Sequence, residues 1–253
     1  MTDDRAMELF FELYSGLPRQ GPGDADSTRR ALSLVPPLDS TARILDVGCG
    51  TGAQTFDLAR FSPATILAVD LHPPFVEELT ARAAALGLTN RVEGRVGDMH
   101  QLDLSSQSFD LIWCEGAVYF MGLEAALEAW RELLKPRGHV GVSELCWLEP
   151  ERPEECVRYF ESEYPQMRDI EQKRSEIERS GYELIGDFPV PDSAWWHEYY
   201  EPLSRNLADF RDRHTSDSAA SPVAEETARE IEMFRKYNDY YGYVFFVMRR
   251  PAD

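Results

Sequence analysis

The sequence predicts an α/β protein with a doubly wound, mostly parallel sheet, and three observations carry that prediction. From about Thr41 to Glu144, short β-branched and aliphatic runs alternate with stretches of helical periodicity. Glycine and proline punctuate the joins between them. The composition, 43% hydrophobic and 28% charged over 253 residues, is that of a globular chain long enough to bury a full core. Strands separated by helices imply βαβ units, and so parallel strands covered on both faces.

Residues 1–40 are expected to form a helical cap. Met7, Phe10, Phe11 and Tyr14 share one helical face, Leu17-Pro18-Arg19-Gln20-Gly21-Pro22-Gly23 is a turn, and a second helix ends at Pro36-Pro37. Residues 41–148 form the core, with strands expected at Arg43–Val47, Thr65–Val69, Arg91–Val96, Phe109–Cys114 and His139–Ser143. Helices are expected at Gln54–Phe61 and Pro73–Leu86, the latter closed by Gly87. A third, Glu124–Leu134, has Leu123, Leu127, Trp130 and Leu134 on one stripe, and Lys135-Pro136-Arg137-Gly138 breaks the chain before the fifth strand. Residues 149–253 complete the sheet: 149–180 is charged and helical, and Glu183–Val190 and Tyr241–Met248 read as strands. The stretch of about 192–238 between them is too long for a plain loop and is expected to be a helical cap insertion over the sheet's ligand edge.

With 26 Lys+Arg against 45 Asp+Glu, the net charge is −19. Such a chain lacks the basic field that nucleic acid or an anionic lipid surface requires, so neither is an expected partner. No apolar run reaches membrane-spanning length, and Tyr243–Met248 is only strand-sized. The start, Met1-Thr2-Asp3-Asp4, is acidic where a secretory signal is basic. Cys49, Cys114, Cys146 and Cys156 form no CxxC pair, so neither a disulfide framework nor a metal site is expected, and reduced thiols suit a cytoplasmic protein.

The stretch Ile44-Leu45-Asp46-Val47-Gly48-Cys49-Gly50-Thr51-Gly52 runs an apolar strand into alternating glycines ahead of a helix. Glycines there let the backbone turn sharply and lie against a ligand, and the helix N-terminus points its amides at the same place. Nucleotide-like ligands bind at the carboxyl ends of such strands. A dinucleotide fingerprint is close in spacing, with Ala53 in its last position, so the glycines alone leave a NAD-type oxidoreductase open. Asp46, however, repels a pyrophosphate and suits a cationic ligand. Asp70 ends the second strand, placed to accept ribose hydroxyls, and Asp98 follows the third, where an adenine amino group needs an acceptor. Three carboxylates without a nearby Arg/Lys cradle favour a positively charged nucleoside over a diphosphate.

On these residues the chain resembles the class I S-adenosylmethionine-dependent methyltransferases, in particular small-molecule enzymes with an N-terminal cap. The resemblance rests on Asp46–Gly52, Asp70, Gly97-Asp98-Met99, Phe109–Glu115 and Leu133–Gly138, and covers residues of about 40–145. It implies a seven-stranded Rossmann-like methyltransferase fold and S-adenosylmethionine as cofactor. Gly48, Cys49, Gly50 and Gly52 would then pack against the methionine part, with Asp46 near its ammonium. Asp70 would take the ribose hydroxyls and Leu71 would flank the adenine. Asp98 would face the adenine amino group, with Met99 beside the ring. Glu115 would sit near the amino-acid end and the substrate mouth, and Arg19 and Gln20 would close over the cofactor.

Methyl transfer from a sulfonium is an in-line displacement, so the protein mainly holds the reactants collinear and dry. A base is needed only for an acceptor protonated at neutral pH. His100, Glu115 and Tyr119 are the catalytic candidates, with Glu144 and His197 as further bases; His72 reads as a helix-start residue. Tyr14, Tyr119, Trp195, Trp196 and Tyr200 are candidate substrate residues. With Tyr199, Phe10 and Phe11 they would line an apolar or cationic pocket, which Glu198 and Glu201 would reinforce, or else glue the cap to its sheet. The expected activity is methylation of a small molecule by a monomer or homodimer; a non-catalytic S-adenosylmethionine-binding protein is the other reading. A nucleic-acid methyltransferase is opposed by the charge and by Cys114-Glu115-Gly116-Ala117 at the fourth strand's end.

Overall fold

A computed structural model describes residues 2–252; Met1, read above as part of an acidic start, and Asp253 lie outside the described residues. The strands are β1 (Arg43–Val47), β2 (Thr65–Asp70), β3 (Val92–Val96), β4 (Phe109–Glu115), β5 (Leu134–Trp147), β6 (Arg168–Asp169), β7 (Glu183–Pro189) and β8 (Tyr241–Arg249). Seven of them form one path in the order β3-β2-β1-β4-β5-β8-β7, and the short β6 pairs with β5. The pairings from β3 through β5 are parallel, and β8 runs antiparallel to both β5 and β7. The mostly parallel seven-stranded sheet is therefore present, with a two-residue eighth strand at its margin.

Strand periodicity divides the core. Ile44, Ile66, Leu111 and Trp113 belong to one buried cluster, whereas their neighbours Leu45, Leu67 and Ile112 belong to a second on the opposite face. Helix α1 is Thr2–Tyr14, α2 is Ala25–Leu32, and α3 (Ala53–Phe61), α4 (Pro73–Ala85) and α5 (Leu123–Arg131) lie between core strands. The α5 stripe Leu123, Leu127 and Trp130 is buried in the second cluster, as its spacing requires.

Two boundaries depart from the sequence reading. The strand β5 begins at Leu134, the last residue of the expected third helix, which instead ends at Arg131, and the expected break survives within the strand as an irregularity: Arg137 takes a φ of 64° and the β4–β5 register shifts between Phe109 and Leu111. Arg250 donates to the carbonyls of Leu134 and Arg131 at 2.8 Å, which satisfies backbone that a regular helix end would leave bare. The second helix stops at Leu32 rather than Pro36, because Leu34 and Val35 turn their amides back to Ala31 and Leu32.

Beyond the core, α6 (Glu154–Glu163) and α7 (Ile170–Arg179) flank β6, and α7 is opened by an Asp169–Gln172 capping box. The stretch before β8 holds α8 (Ser193–Trp195), a π-helical turn at Trp196–Tyr200, α9 (Glu201–Arg213) and α10 (Ala220–Tyr237). Helix α1 packs on α9 and α10, and Asn206 donates to the carbonyls of Leu13 and Ser15 at 2.9 and 3.0 Å. The N-terminal and C-terminal helices thus make one cap rather than two.

Gly141 on β5 lies under the indole of Trp113, where an added Cβ would come within 2.5 Å of ring carbon. Trp113 is fully buried and has no room to retreat. Gly141→Ala is expected to cost roughly 1–3 kcal/mol by overpacking, read as a lower denaturation midpoint; an unchanged midpoint would contradict this packing.

Candidate active site

The site is built where β1 ends. Gly48, Gly50 and Gly52 all take left-handed φ values, of 70°, 54° and 89°, a region costly for any residue with a Cβ. Gly48 is also cramped: a Cβ there would stand 2.5 Å from that of Ala117. The amides of Gly48 and Cys49 both donate to the carbonyl of Val69, at 2.8 and 3.0 Å, tying the loop to the end of β2.

Asp46 lies behind this loop, without accessible surface. Thr55 Oγ1 donates to it at 2.5 Å and Gln54 Nε2 at 3.3 Å, both from the first turn of α3. Burial raises its pKa to about 7. Asp46 therefore does not present a carboxylate on the open edge; it organises the loop and α3 from beneath. Cys49 is likewise turned inward, its thiol pushed up by burial, so only its backbone meets the site.

At the adjoining strand ends, Asp70 accepts from the amide of Gly50 at 2.8 Å through one oxygen and from that of His72 at 2.9 Å through the other. It remains half-buried, and each oxygen, making one of these bonds, has capacity to accept another. Leu71 beside it is 68% exposed and Val96, its β3 neighbour in register, is 50% exposed. Two apolar side chains thus stand in solvent on either side of a carboxylate acceptor. Asp98 is turned to its own loop, accepting from the backbone and ring nitrogens of His100, both at 2.9 Å, which hold its pKa low. His100 is exposed with its ring engaged there, and Met99 is half-buried.

The cap reaches the site through Arg19 and Gln20. Gln20 Oε1 accepts from the amide and hydroxyl of Thr51, at 3.2 and 2.7 Å, sitting over the glycine loop. The Arg19 guanidinium, 4% exposed, meets Asp57 of α3 at 2.6 Å, Glu115 of β4 at 3.1 Å and Glu198 at 3.1 Å. Glu115 also accepts from Thr28 Oγ1 at 2.7 Å and Trp113 Nε1 at 2.8 Å. A buried guanidinium requires such compensation. Burial outweighs Arg19 at Asp57 and raises its pKa to about 6. Farther out, Phe11 of α1 stacks on His72, the N-cap of α4, with centroids 3.6 Å apart.

Beyond Glu115, Tyr119 sits on a short turn at Val118–Phe120, edge-on to Tyr164. Burial and, after it, nearby negative charge raise its pKa. Trp195 is stacked between Phe234 and Tyr243, at 4.2 and 5.1 Å, and Trp196 lies against Arg235: these two are cap-core packing. Tyr14 and Tyr200, also buried, face Tyr199. Glu198 serves Arg19, and Glu201 and His197 are exposed. Glu144 is buried on β5 with Lys173 at 3.1 Å and the hydroxyl of Tyr164, and its Oε2 has no partner among the described residues.

Sequence reasoning missed Gln54, Thr55, Asp57, Thr28, Lys173 and Glu230. Asp57 and Thr55 had a weak signal, being polar residues on the buried face of a short helix. Glu230 had none, standing among other acids of α10. Two open clefts, of about 430 Å³ on α7 and about 500 Å³ between α9 and α10, involve none of the residues described above as the glycine-loop site. Among the described residues, no His, Cys, Asp or Glu group is arranged to hold a metal ion, and no helix is long and apolar enough to cross a membrane.

Residues 44–138 match the family described as methyltransferase domain. The nocamycin O-methyltransferase of Saccharothrix syringae is 36% identical over 118 residues, covering 46% of this chain and 41% of that protein. The chain spans less than half the length of the first curated relatives it matches. Among solved structures, an S-adenosylmethionine-dependent methyltransferase of Geobacter sulfurreducens in complex with S-adenosyl-L-homocysteine superposes with a TM-score of 0.80, at 20% identity over 95% of this chain and 97% of that one. The [4+2]-cyclase SpnF superposes with a TM-score of 0.75, at 22% identity over 99% and 94%. The chain thus has the Rossmann-like methyltransferase fold, and its residues 44–138 are similar to a methyltransferase domain.

Two measurements test this site. Arg19→Met leaves Glu115 and Asp57 buried without their cation, and is expected to cost about 3–5 kcal/mol in chemical denaturation; a loss below about 1 kcal/mol would contradict the hub, being the scale of an exposed pair. Asp46 holds its proton more tightly folded than unfolded, so its favourable neutral form is complete below about pH 4 and lost as pH rises through about 7. Relative to the parent, Asp46→Asn should therefore gain stability between about pH 4.5 and 7.5; a constant or falling difference would contradict its placement.

Proposed function

We propose that this chain, whose residues 44–138 form a methyltransferase domain, is an S-adenosylmethionine-dependent methyltransferase acting on a small molecule. The observation that carries the reading is the coupling of the left-handed glycine loop to Asp70: one carboxylate bonds the Gly50 amide and still faces a strand edge flanked by exposed Leu71 and Val96. That arrangement fits a nucleoside, with hydroxyl acceptors in the centre, apolar flanks for a base and close-approach backbone alongside.

On this reading Asp70 takes the ribose hydroxyls, Leu71, Val96 and Met99 flank the base, Asp98 stands at its edge and the backbone of Gly48–Gly52 holds the amino-acid end. When bound, S-adenosylmethionine supplies an electrophilic methyl group on sulfur. The chain's own contribution is placement and dryness. Gln20 and Arg19 hold the cap on the loop and strand ends, which excludes water and fixes the direction from which an acceptor arrives. Glu115 accepts from three donors and is a positioning group; the donor hydroxyl of Tyr119 is free to orient an acceptor atom.

The acidic strand ends and the methyltransferase domain together leave the oxidoreductase alternative without support. The likeness to a [4+2]-cyclase favours keeping one other reading, in which the same fold does chemistry without methyl transfer. We infer a cytoplasmic protein, supported by four free, buried cysteines, working as a monomer or homodimer without nucleic acid.

Calorimetry tests the cofactor. Asp70→Ala removes charged acceptors and should weaken S-adenosylmethionine binding roughly 10- to 100-fold. Gly50→Val, strained at φ 54° and aimed at Gln20 3.1 Å away, should remove binding from the measurable range. Unchanged affinity in either folded variant contradicts the assignment. Release of S-adenosylhomocysteine with methyl-labelled cofactor and an amine panel separates transfer from the non-transferring reading.

A further inference from the structure

The cap buries a carboxylate for which the proposed chemistry has no use. Glu230, on α10, accepts from the hydroxyl of Tyr200 at 2.9 Å and from that of Tyr199 at 3.4 Å. Burial raises the pKa of Glu230 above the usual carboxylate range, and the hydroxyls of Tyr200, Tyr199 and Tyr14, the last reaching in from α1, oppose that rise. The rings are close-set: Tyr14 and Tyr199 have centroids 6.3 Å apart, and Tyr199 and Tyr200 4.8 Å apart. Glu230 is half-buried and keeps some accessible surface beside these rings.

No ion pair among the described residues neutralises this group. The neighbouring Arg229 lies instead over the ring of Tyr159, 4.8 Å from its centroid, and Glu226 adds negative charge. The cations nearer the strand ends are committed: Arg19 to three carboxylates, and Lys173 to Glu144 and Glu176. An anionic acceptor would find no counter-charge. A carboxylate removed from water with hydroxyl donors but no cation is under-compensated, and tyrosine faces attract positive charge. On the turn after β4, the pKa of Tyr119 is raised by burial and then by the charge of Glu230, so the two side chains are near enough to interact.

We propose that Glu230, ringed by Tyr14, Tyr199 and Tyr200, is the acceptor-recognition site, and that it takes a small molecule bearing a protonated or quaternary amine. This names the substrate class for the activity proposed above and rests on that reading. The carboxylate supplies the counter-charge and the ring faces exclude water from the ammonium.

The test titrates choline and its uncharged isostere, 3,3-dimethyl-1-butanol, into the protein by calorimetry, with and without S-adenosylhomocysteine. Choline is expected to bind roughly tenfold or more tightly than the isostere, and Glu230→Gln should remove that preference while S-adenosylhomocysteine affinity stays unchanged and the variant remains folded. Nuclear Overhauser contacts between the choline methyls and tyrosine ring protons should appear in the parent protein, a readout that needs no variant. Equal binding of the two probes, no choline binding, or a preference that survives Glu230→Gln overturns the assignment. S-adenosylhomocysteine titrated alone decides the underlying reading separately: its failure to bind overturns the methyltransferase, and the choline arm is then read on the protein without it.

Discussion

One buried guanidinium holds this molecule's parts in register. Arg19 belongs to the N-terminal cap, Asp57 to the helix after the glycine loop, Glu115 to the end of a central strand and Glu198 to the C-terminal cap. Taking a guanidinium out of water is costly, and the cost is met only when partners from all these segments arrive together. The ion cluster therefore stabilises one arrangement of cap on core more than it stabilises either part. Glu198, 46% exposed, contributes least, since water screens it.

Beneath the hub, Asp46 plays the same organising role for the loop. It buries its charge-bearing group and spends it on Thr55 and Gln54, which pins the first turn of α3 against β1. With that turn fixed, Gly48 and Gly50 have one backbone path, and Asp70 meets the Gly50 amide at the end of that path. Loop geometry, strand end and cap contact are thus consequences of buried polar groups that each demand a partner.

The fold was legible because its signal is local. Adjacent residues such as Ile44 and Leu45 are both apolar and enter opposite faces, which only a strand covered twice can satisfy. The glycine loop was legible because its spacing reports backbone conformation directly. Side-chain direction was not: Asp46, read as standing near a ligand's ammonium, is folded inward onto Thr55 and Gln54, and one oxygen of Asp98 is taken up by His100. For Trp195 and Trp196 the sequence left pocket lining and cap packing both open, and their contacts with Phe234, Tyr243 and Arg235 are packing. Glu230 was invisible because its character comes from tyrosines 30 or more positions away, which no window along the chain brings together.

The central claim is that a methyl-donor nucleoside lies across the glycine loop beneath a cap fastened by Arg19 and Gln20. A crystal structure with S-adenosylhomocysteine tests it most directly. The account predicts ribose hydroxyls on the carboxylate of Asp70, the base between Leu71, Val96 and Met99, and the amino-acid end along Gly48–Gly52. Ligand density elsewhere, or a glycine loop left bare at saturating ligand, would contradict it.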